Sequence, residues 1–133
     1  MHTFNENVKT DIEYAGGTLN NSATTPIYFS MKNYDRIAFL IQTGTLTSTA
    51  SLSIQGRQRI GASGTESNLG SAVTYTTDDG IKVVEFQASQ LTMADGNDRV
   101  GLLITETGTQ NAVVKAVIAC RFQARFPQAT LGS

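Results

Sequence analysis

Tryptophan is absent from this chain, histidine and cysteine occur once each, and proline occurs twice. The single cysteine, Cys120, excludes an intrachain disulfide and with it a small secreted disulfide scaffold. With one cysteine and one histidine, zinc has no ligand set. A Ser-His-Asp or Cys-His site would need His2 held rigidly, and His2 falls at what reads as a frayed end. Charge is scarce as well, at 16% of residues against a usual share of about 25%. The net charge of −1 provides neither a basic field for nucleic acid nor an acidic one. No stretch approaches the roughly 18 apolar residues of a membrane span. Met1 to Glu6 lacks the basic and apolar pattern of a secretion signal. These absences lead us to expect a soluble protein made in a cytoplasm, with no enzyme activity, cofactor, metal, nucleic-acid partner or membrane partner.

What the chain has instead is threonine, serine, asparagine and glutamine around short apolar runs. Its 133 residues fit one domain, and a domain of this size buries roughly two-thirds of its unfolded surface without staples. The organising stretch is 31–44. Asn33 and Asp35 flank Tyr34 at a turn, an apolar run follows from Ile37 to Ile41, and Gln42-Thr43-Gly44 stops it. Ile37, Phe39 and Ile41 share one face of a strand there; Arg36, Ala38, Leu40 and Gln42 share the other. This reads as a central strand, buried on much of both faces.

Around it, apolar and polar residues alternate in short segments. Residues 1–23 form an arm, in which Val8, Thr10, Ile12 and Tyr14 alternate weakly enough for one edge strand. Thr24 to Met31 is a second strand, with Pro26 near its start. Ala50 to Arg57 reads as half-buried, and Gln58 to Gly70 as a long exposed loop. Val73 to Thr77 leads into Asp78-Asp79-Gly80, a hairpin signal, and then Ile81 to Ala88. Val100, Leu102 and Ile104 mark the next strand. The last strand places Val114, Ala116, Ile118, Cys120 and Phe122 on a wholly apolar face, so Cys120 is expected in the core and inert to thiol reagents. The opposite face carries Lys115, Arg121 and Arg125. No segment shows a 3.6-residue period. The expected fold is an all-β antiparallel sandwich, a jelly roll in one domain over 24–126, with a tail at 127–133.

The expected core comprises Ile37, Phe39, Ile41, Val84, Phe86, Leu102, Ile104, Ile118, Cys120 and Phe122. Asp95, Asn97 and Asp98, like Asp78 and Asp79, match no calcium-loop spacing and read as turn residues. No aromatic platform marks a sugar cleft. Arg57, Arg59, Lys115, Arg121 and Arg125 are either solubilising charge or a contact surface, arginine being enriched at interfaces. The arm carries Phe4, Val8, Ile12 and Tyr14, which either complete the domain's own sheet or anchor on a neighbour.

Lys32 to Gly44 resembles a segment recurring in small virion proteins of tailed bacteriophages. Similar features run onward at Val83-Val84-Glu85-Phe86, at Asp98 to Ile104, and at Arg121 to Phe126. The resemblance implies a capsid cement, or decoration, protein that sits outside the shell, binds the major capsid protein and associates with itself as a homodimer or homotrimer. It implies a virion location after synthesis in the host cytoplasm, and no catalytic residues. The alternatives are another virion part (a head-tail connector, tail or fibre module) and a carbohydrate-binding β-sandwich. The expected contact residues are Phe4, Val8, Ile12, Tyr14, Arg57, Arg59, Arg121 and Arg125.

Overall fold

The computed structural model describes residues 9–47, 49–92, 95–108 and 110–124, with Gln123 and Ala124 by backbone alone. The strands, in order, are β1 (Lys9–Tyr14), β2 (Gly17–Leu19), β3 (Ser22–Ala23), β4 (Phe29–Ser30) and β5 (Tyr34–Leu46). They continue with β6 (Leu52–Ile60), β7 (Glu66–Tyr75), β8 (Ile81–Gln87), β9 (Asn97–Glu106) and β10 (Ala112–Ala124). A single 3-10 turn, Ala88–Gln90, follows β8.

One sheet runs β1-β10-β5-β8, with β2 continuing β1 along β10; the other runs β3-β9-β6-β7, with β4 continuing β3's side of β9. Joining β1 to β2 and β3 to β4 leaves eight strands, ordered 1-8-3-6 and 2-7-4-5. Every connection except the β6–β7 hairpin crosses between the sheets. This is a jelly roll, as its strand count and alternation lead one to expect. Gly16 marks the break between β1 and β2: its φ is +122°, and a Cβ there would lie 2.4 Å from the Lys115 carbonyl oxygen.

The core lies between the sheets. Ile37, Phe39 and Ile41 of β5 are fully buried, as are Leu52 and Ile54 of β6 and Val100, Leu102 and Ile104 of β9. Phe39 sits between Phe29 and Phe86, with ring centroids 6.3 and 6.2 Å away. The sheets come so close at Gly56 that a Cβ would lie 2.4 Å from the Phe86 ring. β5 pairs with β10 on one side and β8 on the other, so the stretch around Ile37 to Ile41 is central.

Five expectations need correction. The register of β10 against β5 shifts between Val114 and Ala116, a bulge that reverses which side chains face inward. Val114 is buried, but beyond the bulge Val117, Ala119 and Arg121 are the buried residues, and Ile118, Cys120 and Phe122 are half-exposed. Alternation extrapolated across the whole strand therefore gives the wrong face for its second half. Val84 is likewise only partly buried, packed against the core's margin.

The stretch from Gln58 to Gly70 is not a long loop. β6 continues to Ile60, the chain turns within Gly61–Thr65 (Gly64 N–H to Ile60 O, 2.8 Å), and β7 begins at Glu66. Gln58 is buried because its amide exchanges hydrogen bonds with Thr92, at 2.9 and 3.1 Å. Asp78-Asp79-Gly80 is a turn but not a hairpin: β7 and β8 lie in different sheets. There the Asp78 carboxylate accepts the Leu46 amide at 3.0 Å, and Asp79 adopts φ +46°. Of the strand expected over Thr24 to Met31, only Phe29–Ser30 (β4) forms; β3 ends before it, at Ala23.

Candidate functional site: an apolar sheet face

Because β10 changes parity at its bulge, apolar residues that fail to enter the core emerge on the outside of the β1-β10-β5-β8 sheet. The registers place Ile12 opposite Ile118, Ile118 opposite Leu40, and Leu40 opposite Val83. One apolar row therefore crosses all four strands, a span of about 14 Å at the usual inter-strand spacing. Its ends are open to water: Ile12 is 65% exposed and Val83 53%. Leu40 and Ile118 in the middle are half-exposed.

Neighbouring rows extend the patch. Ala116 lies opposite Gln42, which lies opposite Ile81, itself 63% exposed. On the other side Cys120 pairs with Thr10 and Ala38, and Phe122 with Arg36. Polar groups rim the face, among them the Arg36–Glu85 ion pair at 2.5 Å. A contiguous apolar patch with a polar rim marks an interaction site.

The residues expected at contacts do not gather in one place. Ile12 belongs to the apolar row. Tyr14 is half-buried and packs against the core. Arg57 and Arg59 stand on the outside of the opposite sheet, Arg57 bonded to the Asn68 side chain and Arg59 over the Tyr28 ring, 4.3 Å from its centroid. Arg121 is not on a charged outer face at all. It points into the sandwich, where it donates to the Ser30 carbonyl at 2.9 Å and to Asp11 at 3.0 Å. Phe4, Val8 and Arg125 lie outside the described residues. Of the arm, β1 pairs with β10 from Lys9 to Tyr14 and is an edge strand of this domain's own sheet.

Sequence reasoning missed Leu40, Ile81, Val83 and Ile118 as surface residues. The signal available was that β5, β8 and β10 are apolar on both faces, more than one core can absorb. Among the described residues no group of three or more His, Cys, Asp or Glu gathers, and no helix is long and apolar enough to cross a membrane.

No family model matches this chain, and no curated protein does. Among solved structures, a chain from "Structure of infectious bursal disease virus Gx strain" is similar at 14% identity and a TM-score of 0.49. The alignment covers 92% of the present chain and 35% of that one, so this chain spans about a third of its length. The jelly roll assigned above rests on this chain's own strand order.

Proposed function

We propose that this chain is a structural, non-enzymatic virion protein that binds the outside of a bacteriophage capsid and cements neighbouring capsomers as a homo-oligomer. The observation that carries the reading is the apolar face: a rigid sheet surface, crossed by Ile12, Ile118, Leu40 and Val83, suited to burial against another protein. Jelly rolls serve capsid domains, lectins and cupins alike, so the fold does not choose among them. The face favours a protein partner, because a sugar site needs a cleft with convergent polar groups and aromatic platforms. The resemblance of Lys32 to Gly44 to phage virion proteins supports the choice of partner.

Co-sedimentation with purified capsids of the same virus tests it. The wild-type chain should pellet with capsids, and the double variant Ile12→Lys/Val83→Lys should stay in the supernatant while keeping its circular dichroism spectrum. Equal pelleting of both proteins would remove the face from the contact. Failure of the wild type to pellet, with retention on a glycan array, would replace the reading with the carbohydrate-binding one.

A further inference from the structure

At the end of the sandwich where β4 meets the turn into β5, a cleft of about 450 Å³ is lined by Tyr28, Phe29, Ser30, Lys32, Asn33, Arg99 and Arg121. Three of these are cations and none is a carboxylate. Ser30 and Arg99 are register partners in the β4–β9 ladder, whereas Arg121 comes from β10 in the facing sheet. Its reach across to the Ser30 carbonyl therefore ties the sheets together at the cleft. Arg121 is only 6% exposed, and its guanidinium carbon lies 5.0 Å from the Tyr34 ring centroid and 5.6 Å from that of Phe29. These rings and two hydrogen bonds fix the guanidinium in place.

The cations of this cleft are under-compensated. Asp11 is the ion-pair partner of Arg121, and among the described residues no carboxylate pairs with Lys32 or Arg99. Arg99 also faces Arg59 directly across the β6–β9 ladder, a like-charge pairing that destabilises a sheet. Among the described residues, Nε of Arg99 and Nε of Arg121 are both buried without a hydrogen-bond acceptor. Buried donors are nearly always satisfied, and guanidinium groups most strongly by oxyanions. Arg99 and Lys32 are therefore the unneutralised cations of the cleft, with Arg121 held beside them by Asp11 and the Ser30 carbonyl.

We propose that this cleft binds an oxyanion, carboxylate or phosphate, carried on a larger organic molecule. The oxyanion accepts from Arg99 and Arg121, with Lys32 and the Asn33 amide at the mouth. The volume falls within the range of small-molecule sites, about 300–1,000 Å³, and a bare ion fills only a fraction of it. The site is separate from the apolar sheet face, so it stands or falls independently of the function proposed above.

The test is an amide chemical-shift titration of the full chain at constant ionic strength with three probes: inorganic phosphate, a phosphate monoester, and a short glutamate-containing peptide. We expect saturable shifts confined to Ser30, Lys32, Asn33, Arg99 and Arg121. Binding should weaken roughly tenfold or more in Arg99→Gln, the loss of a charge-assisted hydrogen bond. Arg99 accepts no structural duty in the hydrogen-bond network, so this variant should fold; Lys32→Gln, on an exposed side chain, gives a second and milder loss. Saturation by the peptide alone assigns the site to carboxylates, and by the monoester alone to phosphates. No saturation with any probe, shifts scattered over the surface, or equal affinity in Arg99→Gln would overturn the proposal.

Discussion

Glu13 is buried at 4% exposure beside a gap in the second sheet, where the chain leaves β9 after β3 and returns at β4. The β9 amides and carbonyls in that gap need partners from elsewhere. Thr24 supplies two, its amide donating to the Ile104 carbonyl at 2.9 Å and its hydroxyl accepting the Ile104 amide at 3.1 Å. Glu13 accepts from the Leu102 amide of β9 and, at 3.2 Å, from the Ile27 amide. Burial nevertheless dominates these two amides and raises the carboxyl's pKa from 4.5 to about 8. The sign follows. Below pH 4.5 the group is protonated folded or unfolded, and stability from this site is complete. As pH rises through about 8 the folded carboxyl holds its proton while the unfolded one has lost it, so stability falls across that window and then levels. Glu13→Gln should flatten this slope and exceed the wild type by on the order of 3 kcal/mol at pH 9. Urea denaturation at pH 4 and pH 9 checks it; parallel pH profiles for the two proteins would contradict the buried-carboxyl account.

At the scale of the element, β10 shows what was legible and what was not. Its existence and approximate extent follow from alternation and from the turn signals on either side; its pairing next to β5 does not. Its bulge has no such mark, since Val114-Lys115-Ala116-Val117 reads equally well with or without an extra residue. The two faces beyond the bulge, Val117 and Ala119 against Ile118 and Cys120, are nearly equal in hydrophobicity, so pattern could not choose between them. Arg121 was the misleading residue: an arginine reads as outward, and here Asp11, Ser30 and two aromatic rings take it in. The apolar sheet face went unseen because Ile118 was assigned to the core and Leu40 and Val83 were not read as exposed. The centre of β5 was read correctly, with Ile37, Phe39 and Ile41 inward, but the strand outruns its turn signals, beginning at Tyr34 and passing through Gly44 to Leu46. Three measurements test this register. Phe39→Ala should cost about 3–5 kcal/mol, the range for a buried aromatic, and Phe122→Ala less than half as much. Cys120 should react with a thiol reagent in the native protein, as a half-exposed thiol on the outer face; labelling only after denaturation would return it to the core. Gly56→Val should destabilise by about 1–3 kcal/mol, because no branched side chain fits against the Phe86 ring.

For the whole molecule, the proposed function asks a modest face to hold a shell together. Ile12 and Val83 stand on opposite edge strands, so the apolar row is presented by the full width of a rigid sheet and not by a loop. Such a surface needs no ordering on contact, which keeps the entropic cost of binding low. An oligomer repeats it: if one contact is worth about 1.4 kcal/mol, or tenfold in affinity, three engaged together approach a thousandfold when geometry lets all bind at once. Truncation separates the fold from this grip. Deleting residues 1–14 removes β1 and exposes the β10 edge that it covers, so that variant should unfold more readily. Deleting 1–8 leaves the described β1–β10 pairs, Lys9 to Tyr14, in place, and stability is expected to stay unchanged. We expect capsids stripped of the protein to rupture at lower temperature or milder osmotic shock, and re-addition of wild type or of the 1–8 deletion to restore them. Ile12→Lys/Val83→Lys, with charges at both ends of the row, should fold within about 0.5 kcal/mol of wild type, as exposed substitutions do, yet restore nothing. Rescue by that double variant would move the grip to the opposite sheet, where Arg57 and Arg59 lie; stripped and complete particles of equal strength would mean that the protein does not cement the shell.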